Sequence, residues 1–242
     1  MTFCLGITLQ EGLIALADTR VTSGTEVITA QKISVFQKDR HAMFVMTSGL
    51  RSLRDKTLTY FEEFIENQEQ PFDRLFKAVN AFAEQIRRVA HEDKAALAAG
   101  GLYFDMYAII GGQMSNDKEH LLYLVYPQGN WVEIGAGTPY QIIGSASYGK
   151  PVLDRTLKHT DPLKFALKVG ILAFDSTRIS AADVDFPVDV VIYFRNEFRI
   201  FEHRYAKNDL LELTGWWGER LRALVNEVPS AAIDSVFSNL HR

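Results

Sequence analysis

MTFCLGITLQEGLIALADTR (residues 1–20) reads as two short strands joined by a tight turn. Residues 2–9 and 13–19 are compact runs rich in Leu, Ile, Ala and Thr, bounded by Gly or charged side chains. The turn falls on Gln10, Glu11 and Gly12. The second run ends on a carboxylate, Asp18, in an otherwise apolar strand, with Arg20 two residues on. Residues 32–37 and 42–47 repeat the strand pattern, so the chain opens on a group of strands.

The period then changes. Leu50, Leu53, Leu58, Phe61 and Ile65 fall mostly on one helical face, and Phe72, Leu75, Phe76, Val79, Phe82, Ile86 and Val89 do so more cleanly. Strands return at residues 103–111, 121–126 and 131–134. Two more helices are expected at 148–158 and 162–174, then a hairpin of 188–194 with 198–203 turned at Arg195 and Asn196. Residues 208–228 read as a final amphipathic helix. Clustered strands with segregated helix pairs argue against a βαβ doubly wound sheet. They suit an α+β fold of two stacked antiparallel sheets with helices on both outer faces. No linker, repeat or low-complexity tract divides the chain. A single domain is expected, with residues 1–206 as its body and 207–242 as a helical extension.

Composition excludes several classes. The 242 residues carry 26 basic and 30 acidic side chains, a net charge of -4, which lacks the basic excess of a nucleic-acid binder. No apolar run reaches membrane-spanning length, and the N-terminus lacks the basic start and apolar stretch of a secretory signal. Cys4 is the one cysteine, so no disulfide can form within the chain. These features point to a cytoplasmic protein. The histidines do not pair at metal-ligand spacing, and HExxH, CxxC, a phosphate loop and a GxSxG elbow are all missing. No cofactor and no metal are expected. Cys4, at the same strand parity as Thr2, is expected to be a core residue.

One constellation remains. Thr2 follows Met1, and removal of Met1 would leave threonine with a free α-amine. A Thr hydroxyl is a weak nucleophile until a base takes its proton, and an N-terminal amine is such a base on the same residue. That amine titrates near ~7.7–8.0 when unperturbed, close to working pH. A buried Asp18 could hold Lys32, which opens the next strand, charged and oriented toward Thr2. Thr47-Ser48-Gly49-Leu50 forms a strand-to-helix junction where a backbone N–H suits a developing oxyanion.

Together these residues resemble the catalytic β-subunits of the proteasome and its bacterial relative HslV. The resembling stretches are Thr2, ALADTRVTSG (15–24), QKISVF (31–36), TSGL (47–50), GSASYGKPVLD (144–154) and FDST (174–177), in family order. The start at Met1-Thr2 without a propeptide and the extension beyond residue 206 resemble Anbu, the ancestral β-subunit of bacteria. The resemblance implies the four-layer αββα sandwich of N-terminal-nucleophile hydrolases and a threonine-type peptidase. Thr2 would be the nucleophile, Asp18 and Lys32 its charge partners, supported by Arg20, and Gly49 the oxyanion donor. Ser145 and Asp175 match the serine and aspartate that support the threonine amine. The family's second serine falls on Arg178, which leaves Ser180 as its stand-in. Thr22 and Ser23 would pair with substrate backbone, and Val21, Ala30, Thr47 and Arg51 would line the pocket. A homo-oligomer, as a ring, open ring or helix, and a peptide or other amide substrate are implied; the sequence identifies no ATPase partner. A non-peptide amidohydrolase of this fold and a vestigial binding subunit stay open as alternatives.

Overall fold

The opening runs form β1 (Phe3–Leu9) and β2 (Gly12–Asp18), paired antiparallel with Cys4 opposite Ala17. The computed structural model describes residues 2–23 and 26–240, apart from the side chains of Ser23 and Asn239. Every residue of β1 and β2 is buried, which explains why neither strand alternates in polarity. Their sheet has the order β10-β1-β2-β11-β12, with β10 at Tyr140–Gly144, β11 at Val188–Phe194 and β12 at Ile200–Tyr205. The second sheet runs β5-β6-β7-β8-β9. Its strands are β5 (Ile33–Lys38), β6 (His41–Gly49), β7 (Met106–Gln113), β8 (Leu121–Val125) and β9 (Trp131–Glu133). A small hairpin, β3 (Arg20–Ser23) with β4 (Glu26–Thr29), links the two sheets.

Side-chain parity builds the layers. Cys4, Leu13, Ala15 and Ala17 of the first sheet share one core with Ile33, Phe44, Met46 and Ile109 of the second. The opposite face of the first sheet meets α3 (Lys150–Thr156) and α4 (Leu163–Ser180): Phe3 packs on Phe174 with ring centroids 6.1 Å apart. The outer face of the second sheet meets α1 (Arg51–Glu66) and α2 (Leu75–Ala99). There Phe61 stands edge-on to Phe82 at 5.1 Å, with Val45 and Ile110 from the sheet. The result is helix, sheet, sheet, helix, the expected α+β sandwich.

The differences from the sequence reading are local. β10 is missed because Tyr140–Gly144 is short and follows a Gly- and Pro-containing loop. By their internal contacts, Met1–Ala206 and Lys207–Arg242 are two compact units, the body and the extension named above. In the second unit the helix expected over residues 208–228 is α5 (Leu211–Val225), and a further helix that the sequence reading did not assign, α6 (Ala231–Leu240), follows it. Pro229, which cannot donate a backbone hydrogen bond, stands between them. Ser230 then opens α6, its carbonyl accepting from Asp234 N and its hydroxyl donating to the Asp234 carboxylate at 2.7 Å. Among the described residues no helix is long and apolar enough to cross a membrane.

Candidate active site

Strand register brings distant residues to one end of the sandwich. Thr2 stands just before β1, between β10 and β2. Because β2 runs antiparallel, its last residue, Asp18, arrives beside Phe3, and Asp18 Oδ1 accepts the Phe3 N–H at 2.8 Å. On the other side, Ser145 N donates to the Thr2 carbonyl at 2.7 Å. The backbone of Thr2 is therefore held from both neighbouring strands.

The same Asp18 oxygen accepts from Lys32 Nζ at 2.7 Å. Lys32 donates a second hydrogen bond to the Arg20 carbonyl, also at 2.7 Å. Asp18 is fully buried and Lys32 is 4% exposed. Burial pushes the Asp18 carboxyl above its ordinary value, while the Lys32 ammonium and the Phe3 N–H pull it down. Cys4, one residue further along β1, is wholly buried, and burial pushes its thiol up to about 12. It stays a protonated core side chain, so it does not compete as a nucleophile.

Thr2, Arg20, Val21, Thr22, Lys32, Thr47, Gly49 and Arg51 all line one cavity of about 810 Å³. Gly49 ends β6 at φ 116°, and a Cβ there would stand 1.9 Å from the Asp105 carbonyl oxygen, so only glycine fits. The next helix, α1, starts at Arg51 without a side-chain cap, and its first turn borders the cavity.

Not every expected residue joins this group. Ser145 is buried beside Gly144, next to Thr2 rather than among the lining side chains. Asp175 is buried in α4, where Arg178 Nη2 donates to its Oδ1 at 2.6 Å. Ser180 is exposed at the last residue of α4 and does not line the cavity, because the helix carries it past Asp175. Ala30 is half-buried outside the lining, its N–H donating to the Thr19 carbonyl at 2.8 Å. The side chain of Ser23 and all of Met1 lie outside the described residues.

The structure adds lining residues that sequence reasoning missed: Ile28, Ser48, Leu50, Arg54, Tyr103, Asp105, Tyr107 and Gly144. Arg54 had a local signal, since it stands three residues after Arg51 on one helix face. The strand expected from residue 103 begins only at Met106, so Tyr103 and Asp105 precede β7, and the pairing of Met106 with Gly49 brings the Asp105 carbonyl to the end of β6. Gly144 is held at φ 87°, and a Cβ there would lie 1.9 Å from the Thr2 carbonyl oxygen. Gly144→Ala should displace Thr2 and lower any Thr2-dependent rate about 100-fold, the usual cost of misplacing a reacting group by about 1 Å. Steady-state kinetics on the folded variant checks this; an unchanged rate would show that Thr2 needs no such clearance.

Comparison with known proteins gives the same picture. The sequence profile of the proteasome subunit family matches residues 2–208. Anbu, the ancestral β-subunit, from Yersinia bercovieri is 27% identical with a TM-score of 0.86, over 94% of this chain and 97% of its own. Anbu in a helical assembly from Pseudomonas aeruginosa is 26% identical with a TM-score of 0.88, over 94% and 97%. An Anbu mutant from Hyphomicrobium is 26% identical with a TM-score of 0.87, over 94% and 99%. No curated protein matches the chain. The profile match and the shared sandwich lead to one conclusion: this chain belongs to the proteasome subunit family, with a fold similar to that of the Anbu structures.

Proposed function

We propose that the protein is an N-terminal-threonine amide hydrolase, acting on peptides or related amides once Met1 is removed. The carrying observation is the single oxygen, Asp18 Oδ1, that accepts both the Phe3 N–H and Lys32 Nζ. It ties the peptide bond following Thr2 to a buried ammonium on the wall of the same cavity. Lys32 gives two of its three N–H bonds to Asp18 and the Arg20 carbonyl, leaving the third for the Thr2 hydroxyl. A cation there favours the alkoxide, and the α-amine of Thr2 is the base.

The reaction runs in two halves. Thr2 Oγ1 bonds to the substrate carbonyl carbon as its proton passes to the α-amine. The amine returns that proton to the leaving nitrogen as the C–N bond breaks, leaving an ester on Thr2. Water then adds to the ester with the amine again as base, releasing the acid and restoring the hydroxyl. Backbone N–H groups around Gly49 and the open first turn of α1 suit the oxyanion formed in each half. Ser145, beside the Thr2 backbone, steadies the amine end. Intact mass before and after a β-lactone or epoxyketone probe tests the reading. The expected result is a chain lacking Met1 that gains one adduct; a processed chain that never reacts would overturn it.

Self-assembly is part of the proposal. The Pseudomonas protein forms a helical assembly. In the second unit of this chain, α5 has no buried residue, and Trp216, Leu221, Val225, Val236 and Phe237 are all exposed. An apolar surface of that kind favours covering by another copy. Removing residues 207–242 should reduce the particle to a smaller species by light scattering. An unchanged particle size would refute the role.

A further inference from the structure

The cavity next to Thr2 has a one-sided supply of hydrogen-bond donors. Three of its lining side chains, Arg20, Arg54 and Thr47, carry buried polar atoms with no hydrogen-bond partner among the described residues: Nε, Nε and Oγ1. All three can donate. The lining contains four cationic side chains, Arg20, Lys32, Arg51 and Arg54, against one acid, Asp105.

The countercharges are unequally shared. Lys32 has Asp18 at 2.7 Å, and Arg20 has Asp185 at 3.2 Å. Arg51 and Arg54 divide one carboxylate, Asp55, at 3.2 and 3.9 Å. Arg54 is the more buried of that pair, 17% exposed against 54%, and its Nη2 donates a hydrogen bond to the Gln31 carbonyl. Asp18, Asp55 and Asp185 are not among the lining residues, so the cationic ends of these pairs are what a ligand meets. A largely desolvated guanidinium with a shared, distant counter-ion gains most from a new carboxylate, which it can take through two N–H groups. A lysine or arginine side chain in that place would meet like charge. A purely aliphatic one would leave the donors unpaired.

We propose that the cavity selects substrates carrying a carboxylate side chain on the residue whose carbonyl Thr2 attacks, with Arg54 as the principal binding group, aided by Arg51 and Thr47. This rests on Thr2 as the nucleophile. Val21, Ile28 and Leu50 line the same cavity and suit the methylenes of a glutamyl side chain.

The test separates the pocket from the nucleophile. The full-length chain is assayed with tripeptide coumarin amides that differ only in having Glu, Gln, Leu or Lys before the scissile bond. The matching N-acetyl tripeptide amides are titrated calorimetrically into the Thr2→Ala protein, where no chemistry intervenes. Glu is expected to exceed Gln by about 10- to 100-fold in both readouts, the range of a charge-assisted bidentate pair. In Arg54→Gln that ratio should fall to within about threefold, and Arg54→Lys should keep part of it, since a point charge replaces the planar fork. Gln, Leu or Lys equalling Glu in the wild-type cavity overturns the proposal, as does an Arg54→Gln protein that keeps the ratio. If Arg54→Gln does not fold, the wild-type ranking decides. A small β-lactone without a recognition side chain reports Thr2 alone. Silence toward the lactone with a preference for Glu in the calorimetry sinks the nucleophile and keeps the pocket. Lactone acylation with a flat ranking sinks the pocket and keeps the nucleophile.

Discussion

Thr2→Ala is expected to lower amide hydrolysis by about 10,000-fold or more, because residues acting as one catalytic unit fail together when the nucleophile is lost. The melting temperature should move by no more than about 2 °C, since substitutions that leave no cavity or stranded charge stay within ~0.5 kcal/mol. Both halves of this expectation come from the geometry. Thr2 is half-buried at the cavity wall, outside the three apolar layers, so the lost hydroxyl and methyl leave little packing undone. Its backbone is held by Ser145 N and, through Phe3 N–H, by Asp18, and alanine keeps both bonds. What alanine cannot supply is an oxygen for the carbonyl carbon. The amine base, Lys32 and the turn at Gly49 then surround nothing that can attack. Thr2→Ser is the matching control. It keeps the oxygen, and turnover within about 100-fold of wild type would separate loss of the nucleophile from general disturbance of the site. Kinetics with the coumarin amides and a thermal melt on the same samples check the claim. Wild-type turnover in Thr2→Ala would end the case for Thr2.

The layers and the strand ends were legible in the sequence because they depend on local patterns. β1 and β2 announce themselves as apolar runs, and α2 as a clean helical stripe. Asp18 stood out for a physical reason: a carboxylate closing an apolar strand needs a partner, and Lys32 is that partner at 2.7 Å. The parts that stayed hidden depend on register, which no local pattern encodes. β10 is too short to stand out, yet its pairing with β1 brings Gly144 against Thr2. Asp105 reaches the cavity only because β7 pairs with β6 so that Met106 faces Gly49. Arg178 was visible as a departure from the family pattern. Its consequence, a guanidinium on the Asp175 carboxylate, required the helix to be in place. Ser180 shows the same limit from the other side: counting residues kept it as a candidate, and helix geometry carries it to an exposed end.

The Asp18–Lys32 pair separates two substitutions that both remove activity but differ in stability against pH. Asp18→Asn leaves Lys32, 4% exposed, without its carboxylate, and Phe3 N–H without its charged acceptor. Breaking a buried pair from one side costs about 3–5 kcal/mol, and no carboxyl remains at this site to titrate. Lys32→Met strands the carboxylate instead. Burial already pushes Asp18 above its ordinary value, and Lys32 is the main influence opposing that rise, so its removal pushes the carboxyl higher still. The sign follows directly. A folded-state pKa above the unfolded one means that the native state binds the proton more tightly. Stability in Lys32→Met should be greatest below the ordinary carboxylate value of ~3.9. It should fall, by up to about 1.4 kcal/mol per pH unit, until the raised pKa is passed. Asp18→Asn should show no such decline from this site. Urea unfolding of both variants between pH 3 and 8 measures the difference. Parallel stability curves would mean that Lys32 does not oppose the rise of the Asp18 carboxyl, and the role proposed for the pair at Thr2 would lose its foundation. Where the pair behaves as expected, hydrolysis should fall by orders of magnitude in each variant, with the double variant little worse than either, because one ammonium held by one carboxylate serves one hydroxyl.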